Sequence, residues 1–102
     1  MRFRRRRFDD VIRRQLELFA SEDLDALDAV ADALARYNAA GADDAEELYG
    51  DYQLAIEAAT DRLAERRDAY SATLEDRDAY AEEFNRAVVR RWPELALTIE
   101  ES

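Results

Sequence analysis

The first ten residues, MRFRRRRFDD, have the residue types that most clearly indicate a binding chemistry. Five arginines lie among the first seven positions, and two phenylalanines flank the run. Arginine presents a planar fork of donors that matches carboxylates and phosphates, and phenylalanine adds apolar contact area. The candidate binding residues are therefore Arg2, Phe3, Arg4, Arg5, Arg6, Arg7 and Phe8.

The charge of the chain is divided between its start and the rest. Residues 1–14 hold seven arginines and two aspartates, a net charge of +5, whereas the remaining residues have a net charge of -15. Positive charge near the start of a helix opposes the helix dipole, so the arginines do not serve to stabilise the first helix. A basic segment beside an acidic body favours docking onto an acidic protein surface, on this chain, on a second copy or on another protein.

Two other partners for the arginines stay open. Nucleic acid would be bound through phosphate contacts that weaken steeply with salt. An anionic membrane surface would attract the arginines and take up Phe3 and Phe8. The acidic body repels both partners, although salt screens that repulsion beyond about 8–10 Å. A segment without any dedicated role is the fourth alternative.

Few side chains in this sequence could carry catalysis or bind a metal. It contains no cysteine and no histidine, which removes thiolate chemistry, the commonest general base and the commonest transition-metal ligand. Carboxylate pairs recur, among them Asp43–Asp44 and Glu82–Glu83, but no loop pattern typical of a Ca²⁺ site surrounds them. We expect no enzymatic activity, no cofactor and no metal, and a carboxylate-based metal carrier or enzyme is the least favoured alternative.

The composition and spacing predict helices throughout. Glycine and proline are scarce (2 and 1 residues), and alanine, leucine, glutamate and arginine all favour helix. A first helix is predicted from about residue 8 to 39, either continuous or interrupted at residues 21–23, with Asp9 and Asp10 at its cap and first turn. Its second half has coiled-coil spacing, carried by Leu24, Leu27, Ala31, Leu34 and Asn38.

Helix ends are predicted from the residues between the apolar stripes. Gly41 is expected to end the first helix as a C-terminal cap, and Asp43 with Glu46 resembles a capping box that starts the second. The stretch at 75–78 is favoured as the next break, with one long helix that continues through it as the alternative, and Pro93 ends the third helix. Arg66 and Arg67 interrupt the apolar stripe of the second helix, and we expect them at the boundary of this stripe with their stems over apolar surface; an ion pair to another helix is the alternative.

Together these elements predict an all-α fold, an antiparallel helical hairpin with a shorter third helix. A hairpin leaves apolar surface on its outer sides, so we expect a homodimer that completes a dimeric helical bundle. The predicted domain organisation is a basic N-terminal arm (residues 1–7), a single helical domain (8–92) and a C-terminal tail (93–102). The tail is expected to form one helical turn or to dock an apolar patch of Leu95, Leu97 and Ile99.

The function predicted from these features is that of a protein–protein interaction or scaffold module. Its arginine-rich arm would dock onto an acidic surface of a protein partner that the sequence does not identify. The use of arginine as the sole basic residue favours a bacterial source, and the lack of an apolar run after the arginines favours the cytoplasm over secretion. Binding of nucleic acid or of an anionic membrane through residues 2–8 is the alternative function.

Overall fold

A computed structural model describes residues 7–102 of the chain. This part forms helices and no strand, so the predicted all-α class is confirmed for it. The helices are α1 (Asp9–Glu22), α2 (Leu24–Asn38), α3 (Ala45–Ser71), α4 (Arg77–Arg91) and α5 (Ala96–Glu101), with a 3-10 turn at Pro93–Leu95 between the last two.

The core lies where α1, α3 and α4 bring their apolar stripes together. Each helix contributes three or more side chains at intervals of three or four residues, the spacing that places them on one helical face. In α4 the stripe includes Tyr80, Phe84 and Val88, all fully buried. The partners from the other two helices are Ile12, Leu16 and Phe19 of α1 and Ile56, Ala59 and Leu63 of α3.

A single residue, Asp23, separates α1 from α2. Its backbone leaves helical geometry (φ -115°, ψ 34°), which decides between the continuous and the interrupted first helix in favour of the interruption. Because of this break, α1 packs against α4 while α2 packs along α3. Arg62 Nη1 lies 3.2 Å from an Asp23 carboxylate oxygen, and Arg66 Nη2 lies 3.1 Å from the other.

The boundary position expected for Arg66 and Arg67 is confirmed for Arg66, which is half-buried, and is wrong for Arg67, which is buried. Arg66 reaches across to α1 and pairs with Glu22 at 2.7 Å. Arg67 is buried and donates to the side chain of Asn85 in α4 and to Ser102 after α5. A buried guanidinium without such acceptors would be strongly destabilising, so both arginines act as links between helices.

The stripe predicted for α2 is confirmed only in part. The residues that α2 buries are Ala26, Val30 and Ala33, and the predicted Leu27 packs against the core while partly buried. Leu24 and Leu34 are instead 53% and 38% exposed. Small alanine side chains allow the α2 backbone to lie close to α3, so these two leucines remain on the surface.

Neither predicted cap forms between α2 and α3. Gly41 does not adopt a positive φ, and α2 has already ended at Asn38. The position that precedes α3 is Asp44, and no side chain accepts a capping hydrogen bond there, so Asp43 and Glu46 do not form a capping box. Backbone turns close this connection instead.

The segment after Pro93 belongs to the core. Pro93 ends α4 at Arg91, as the sequence predicts. Leu95 and Ile99 are then buried against α3 and α4, while Leu97 is 76% exposed. The helical body therefore extends past residue 92, because the short turn at Pro93 reverses the chain onto its own apolar surface.

Gly50 in α3 is a site where we expect a stabilising substitution. A Cβ at this position would meet no atom within 4 Å, and the backbone there is helical. Gly50→Ala should raise the free energy of unfolding by about 0.5–1 kcal/mol, since glycine loses more backbone entropy than alanine on folding. Thermal unfolding followed by circular dichroism measures this, and a lower melting temperature would contradict it.

Asp23→Asn tests the link at the α1–α2 break. Removing the charge that Arg62 and Arg66 share should lower the free energy of unfolding by about 1–2 kcal/mol. Asp32→Asn is the matched control, because Asp32 pairs only with the exposed Arg36 and such pairs contribute about 0.3–0.5 kcal/mol. Urea unfolding compares the two; equal losses would show that the break does not depend on Asp23.

Candidate functional site

The basic arm meets the helical body at Arg7 and Phe8. These are the two predicted binding residues that the structure describes; Arg2, Phe3, Arg4, Arg5 and Arg6 lie outside the described residues. The Arg7 guanidinium donates to an Asp76 carboxylate oxygen at 2.7 Å and lies 4.9 Å above the Phe8 ring centre. The last arginine of the arm is therefore held by an acidic group of the protein itself.

Phe8 anchors the base of the arm in an aromatic cluster. Its ring contacts that of Tyr80 edge-on, with ring centres 5.2 Å apart and planes at 82°. Tyr80 in turn contacts the rings of Tyr70 and Phe84 at 5.0 and 5.9 Å. Edge-to-face packing of this kind adds to the energy of burial, so the arm begins from a fixed point.

Glu83 closes the start of α1 from a different helix. Its carboxylate accepts a hydrogen bond from the Phe8 backbone N–H at 3.3 Å, and its side chain is buried. No side chain of α1 caps the helix: Asp9 and Asp10 lie in the first turn as expected, but Phe8 occupies the cap position. The α4 carboxylate thus supplies negative charge at the positive end of the α1 dipole.

The sequence alone did not assign Asp76, Tyr80 and Glu83 to this site. Tyr80 lies on the buried stripe of α4, and Asp76 immediately precedes this helix. Glu83 follows Tyr80 by three residues and therefore shares the inner face of α4. An acid on an apolar face was the signal that could have identified it.

A groove, hereafter the α1/α4 groove, lies between α1 and α4, and Asp9 is one of the α1 residues that line it. Its volume is about 270 Å³, and its lining combines an apolar floor with three arginines. The lining residues are Asp9, Ile12, Arg13, Leu16, Ala87, Arg90 and Arg91.

The three groove arginines differ in their partners. Arg13 pairs with Asp9 and Asp10 of its own helix at 3.7 and 3.1 Å, and Arg91 lies 4.8 Å above the Trp92 ring centre. Arg90 forms no ion pair with any residue from 7 to 102. The groove can therefore take a ligand that combines carboxylates with an apolar side chain.

Two further features, an acidic metal site and a membrane-spanning helix, are absent from residues 7–102. This part of the chain contains no group of three or more acidic side chains placed to hold a metal ion. Within the same residues, no helix has the length and apolar character needed to cross a membrane.

Comparison with protein-family models, curated proteins and solved structures finds no match to this chain.

Tyr80 makes the free energy of unfolding depend on pH in the alkaline range. Its hydroxyl is buried without a hydrogen-bond partner among the described residues, and burial raises its pKa to about 12. An unfolded tyrosine ionises near pH 10, so the stabilising effect of the neutral form is present below pH 10. It should be lost as the pH rises from about 10 to 12.

Tyr80→Phe should remove the decrease in stability between about pH 10 and 12. It should also raise the free energy of unfolding at neutral pH by about 1 kcal/mol, because the buried hydroxyl without a hydrogen-bond partner is gone. Urea unfolding between pH 8 and 12 measures both effects. Tyr49→Phe is the control, since Tyr49 is 44% exposed and should change neither quantity. A Tyr80→Phe protein that is less stable at neutral pH would contradict the prediction.

Proposed function

We propose that this protein is an interaction or scaffold module whose arginine-rich arm, residues 2–8, docks onto an acidic surface of a protein partner. The observation that carries the proposal is the pair of contacts at the end of the arm. Arg7 binds the carboxylate of Asp76 and Phe8 packs on the ring of Tyr80. The same alternation of arginine and phenylalanine occurs earlier in the arm, at Phe3 and its neighbours.

The energetics of the Arg7–Asp76 pair support a binding role over a folding role. Both side chains are exposed, at 64% and 49%, and exposed pairs contribute about 0–1 kcal/mol to stability. Among residues 7–102, the buried apolar side chains lie from Ile12 onwards. Because positive charge at the start of α1 opposes the helix dipole, we assign the arginines of the arm to recognition.

We further propose that α2 and α3 form an antiparallel hairpin and that two copies associate. Tyr37, near the end of α2, contacts Tyr49, near the start of α3, with ring centres 5.3 Å apart. Asp25, at the start of α2, pairs with Arg62 in the second half of α3. A second copy would cover leucines that one copy exposes: Leu24, Leu34 and Leu54.

The arm is tested by changing Arg2, Arg4, Arg5 and Arg6 to Gln in the full chain. Both proteins are immobilised, captured partners are identified after nuclease treatment, and each purified partner is titrated at increasing salt. We expect a protein partner with an acidic surface whose affinity for the variant falls at least tenfold, because four charge-assisted contacts are lost.

Changing Arg14, Arg36, Arg77 and Arg86 to Gln provides the control, since it removes the same charge from the body outside the α1/α4 groove. Binding that disappears with nuclease, or that transfers to phosphatidylserine vesicles, would replace the proposal by the nucleic-acid or membrane alternative. A partner bound equally by wild type and arm variant would contradict it.

A further inference from the structure

The α1/α4 groove has a charge that distinguishes it from the acidic body around it. Three arginines and one aspartate surround its floor, so the groove remains positive although Arg13 pairs with Asp9. The other two arginines are Arg90 and Arg91, and the floor is made by Ile12, Leu16 and Ala87. Guanidinium groups beside an apolar floor favour a helix that presents carboxylates around one apolar side chain.

Such a helix face exists in the same chain, on the outer side of α3. Leu54 projects there and is 65% exposed. Four acidic residues share this face with Leu54. Asp51 and Glu47 precede Leu54 by three and seven residues. Asp61 follows Leu54 by seven residues, and Glu65 follows Asp61 by four, and all these intervals return to the same side of a helix.

These carboxylates have no compensation within one copy. None of the four forms an ion pair with the described part of the chain. Glu47 lies four residues before Asp51, and Asp61 four residues before Glu65, and like charges at this spacing repel. Glu47 lies in the first turn of α3, where the helix dipole favours it, but the other three carboxylates of this face would gain from a basic partner.

We propose that the α1/α4 groove of one copy binds the outer face of α3 of a second copy. Leu54 would lie on the apolar floor of the groove, and the carboxylates on either side of it, such as Asp51 and Asp61, would pair with the groove arginines. This inference rests on the self-association included in the proposed function and specifies its surface.

The occupant must come from another copy because of the direction of Leu54. Leu54 precedes the buried Ile56 by two residues, and two residues turn a helix by about 200°. Since Ile56 faces the core that α1 and α4 share, Leu54 faces away from it. One copy therefore cannot place this face in its own groove.

Gly50 agrees with a close approach at this face. It lies one turn before Leu54, and Ala58 lies one turn after it, so small residues flank the exposed leucine on both sides. Beyond the backbone of its own helix and its chain neighbours, no atom of the same copy lies within 4 Å of a Cβ at Gly50.

The test uses two charge-reversal variants of the full chain, Arg90→Glu with Arg91→Glu and Asp51→Arg with Asp61→Arg. Sedimentation equilibrium at 50 mM and 500 mM NaCl measures self-association. We expect wild type to associate at tens of micromolar in low salt, less so in high salt, and each variant alone to associate at least tenfold more weakly. Mixing the two variants should restore association, because an acidic groove then meets a basic α3 face.

Two controls make the result specific. Arg36→Glu with Arg77→Glu changes the net charge equally but leaves the groove intact, and it should associate like wild type. Circular dichroism confirms that each variant retains its helices. Association of the groove variant at wild-type strength, failure of the mixture to associate, or a wild-type protein that is monomeric at 100 µM in low salt would each overturn the inference.

The arm variant described above separates this inference from the proposed function. If it binds its partner weakly but still self-associates through the charge-reversal pair, both proposals stand. If it becomes monomeric while the groove variants associate normally, the groove inference is overturned and the arm remains the interaction element. If the charge-reversal variants behave as expected but the arm variant binds its protein partner as tightly as wild type does, the groove inference stands and the proposed role of the arm is overturned.

Discussion

The carboxylate of Asp23, held by two arginines of α3, is the constraint on which the arrangement of the helices depends. Without a break at this residue, α1 and α2 would form one straight rod and could not contact different neighbours. The break allows α1 to lie on α4 and α2 to lie along α3. Hydrogen bonding to Asp25 and Asp23 raises the pKa of Arg62, and hydrogen bonding to Glu22 and Asp23 raises that of Arg66.

The distribution of charge follows from this arrangement. Folding α1 onto α4 brings Arg13, from near the start of the chain, beside Arg90 and Arg91 from near its end. The arm begins from Phe8, at the start of the same helix. The acidic residues of α3 project on the opposite side of that helix from its buried stripe. The molecule is therefore basic at one surface and acidic at another, although its net charge is -10.

Helix type and the breaks near residues 40, 75 and 93 could be predicted from the sequence, because they depend on local preference and on apolar spacing. The errors lie where a distant contact decided the outcome. Glu83 caps α1 across 75 positions of sequence, and no local pattern reports such a pair. Coiled-coil spacing predicts Leu24 and Leu34 on the inner stripe of α2, whereas the close contact with α3 buries Ala26, Val30 and Ala33. At the binding site, the arginines and phenylalanines were visible in the sequence, but their partners Asp76 and Tyr80 came only from the fold.

The burial of Leu95 and Ile99 has a consequence for how the protein is made on the ribosome. Both residues complete a core that α1 enters through Phe19, itself fully buried and in contact with Trp92. A nascent chain in which only α1, α2 and α3 have been synthesised can form the ion pairs of Asp23 with Arg62 and Arg66. The inner face of α1 is still uncovered at that stage. The core can therefore close only after the residues near Ile99 have left the exit tunnel, so the helices from α1 to α3 do not complete the fold by themselves.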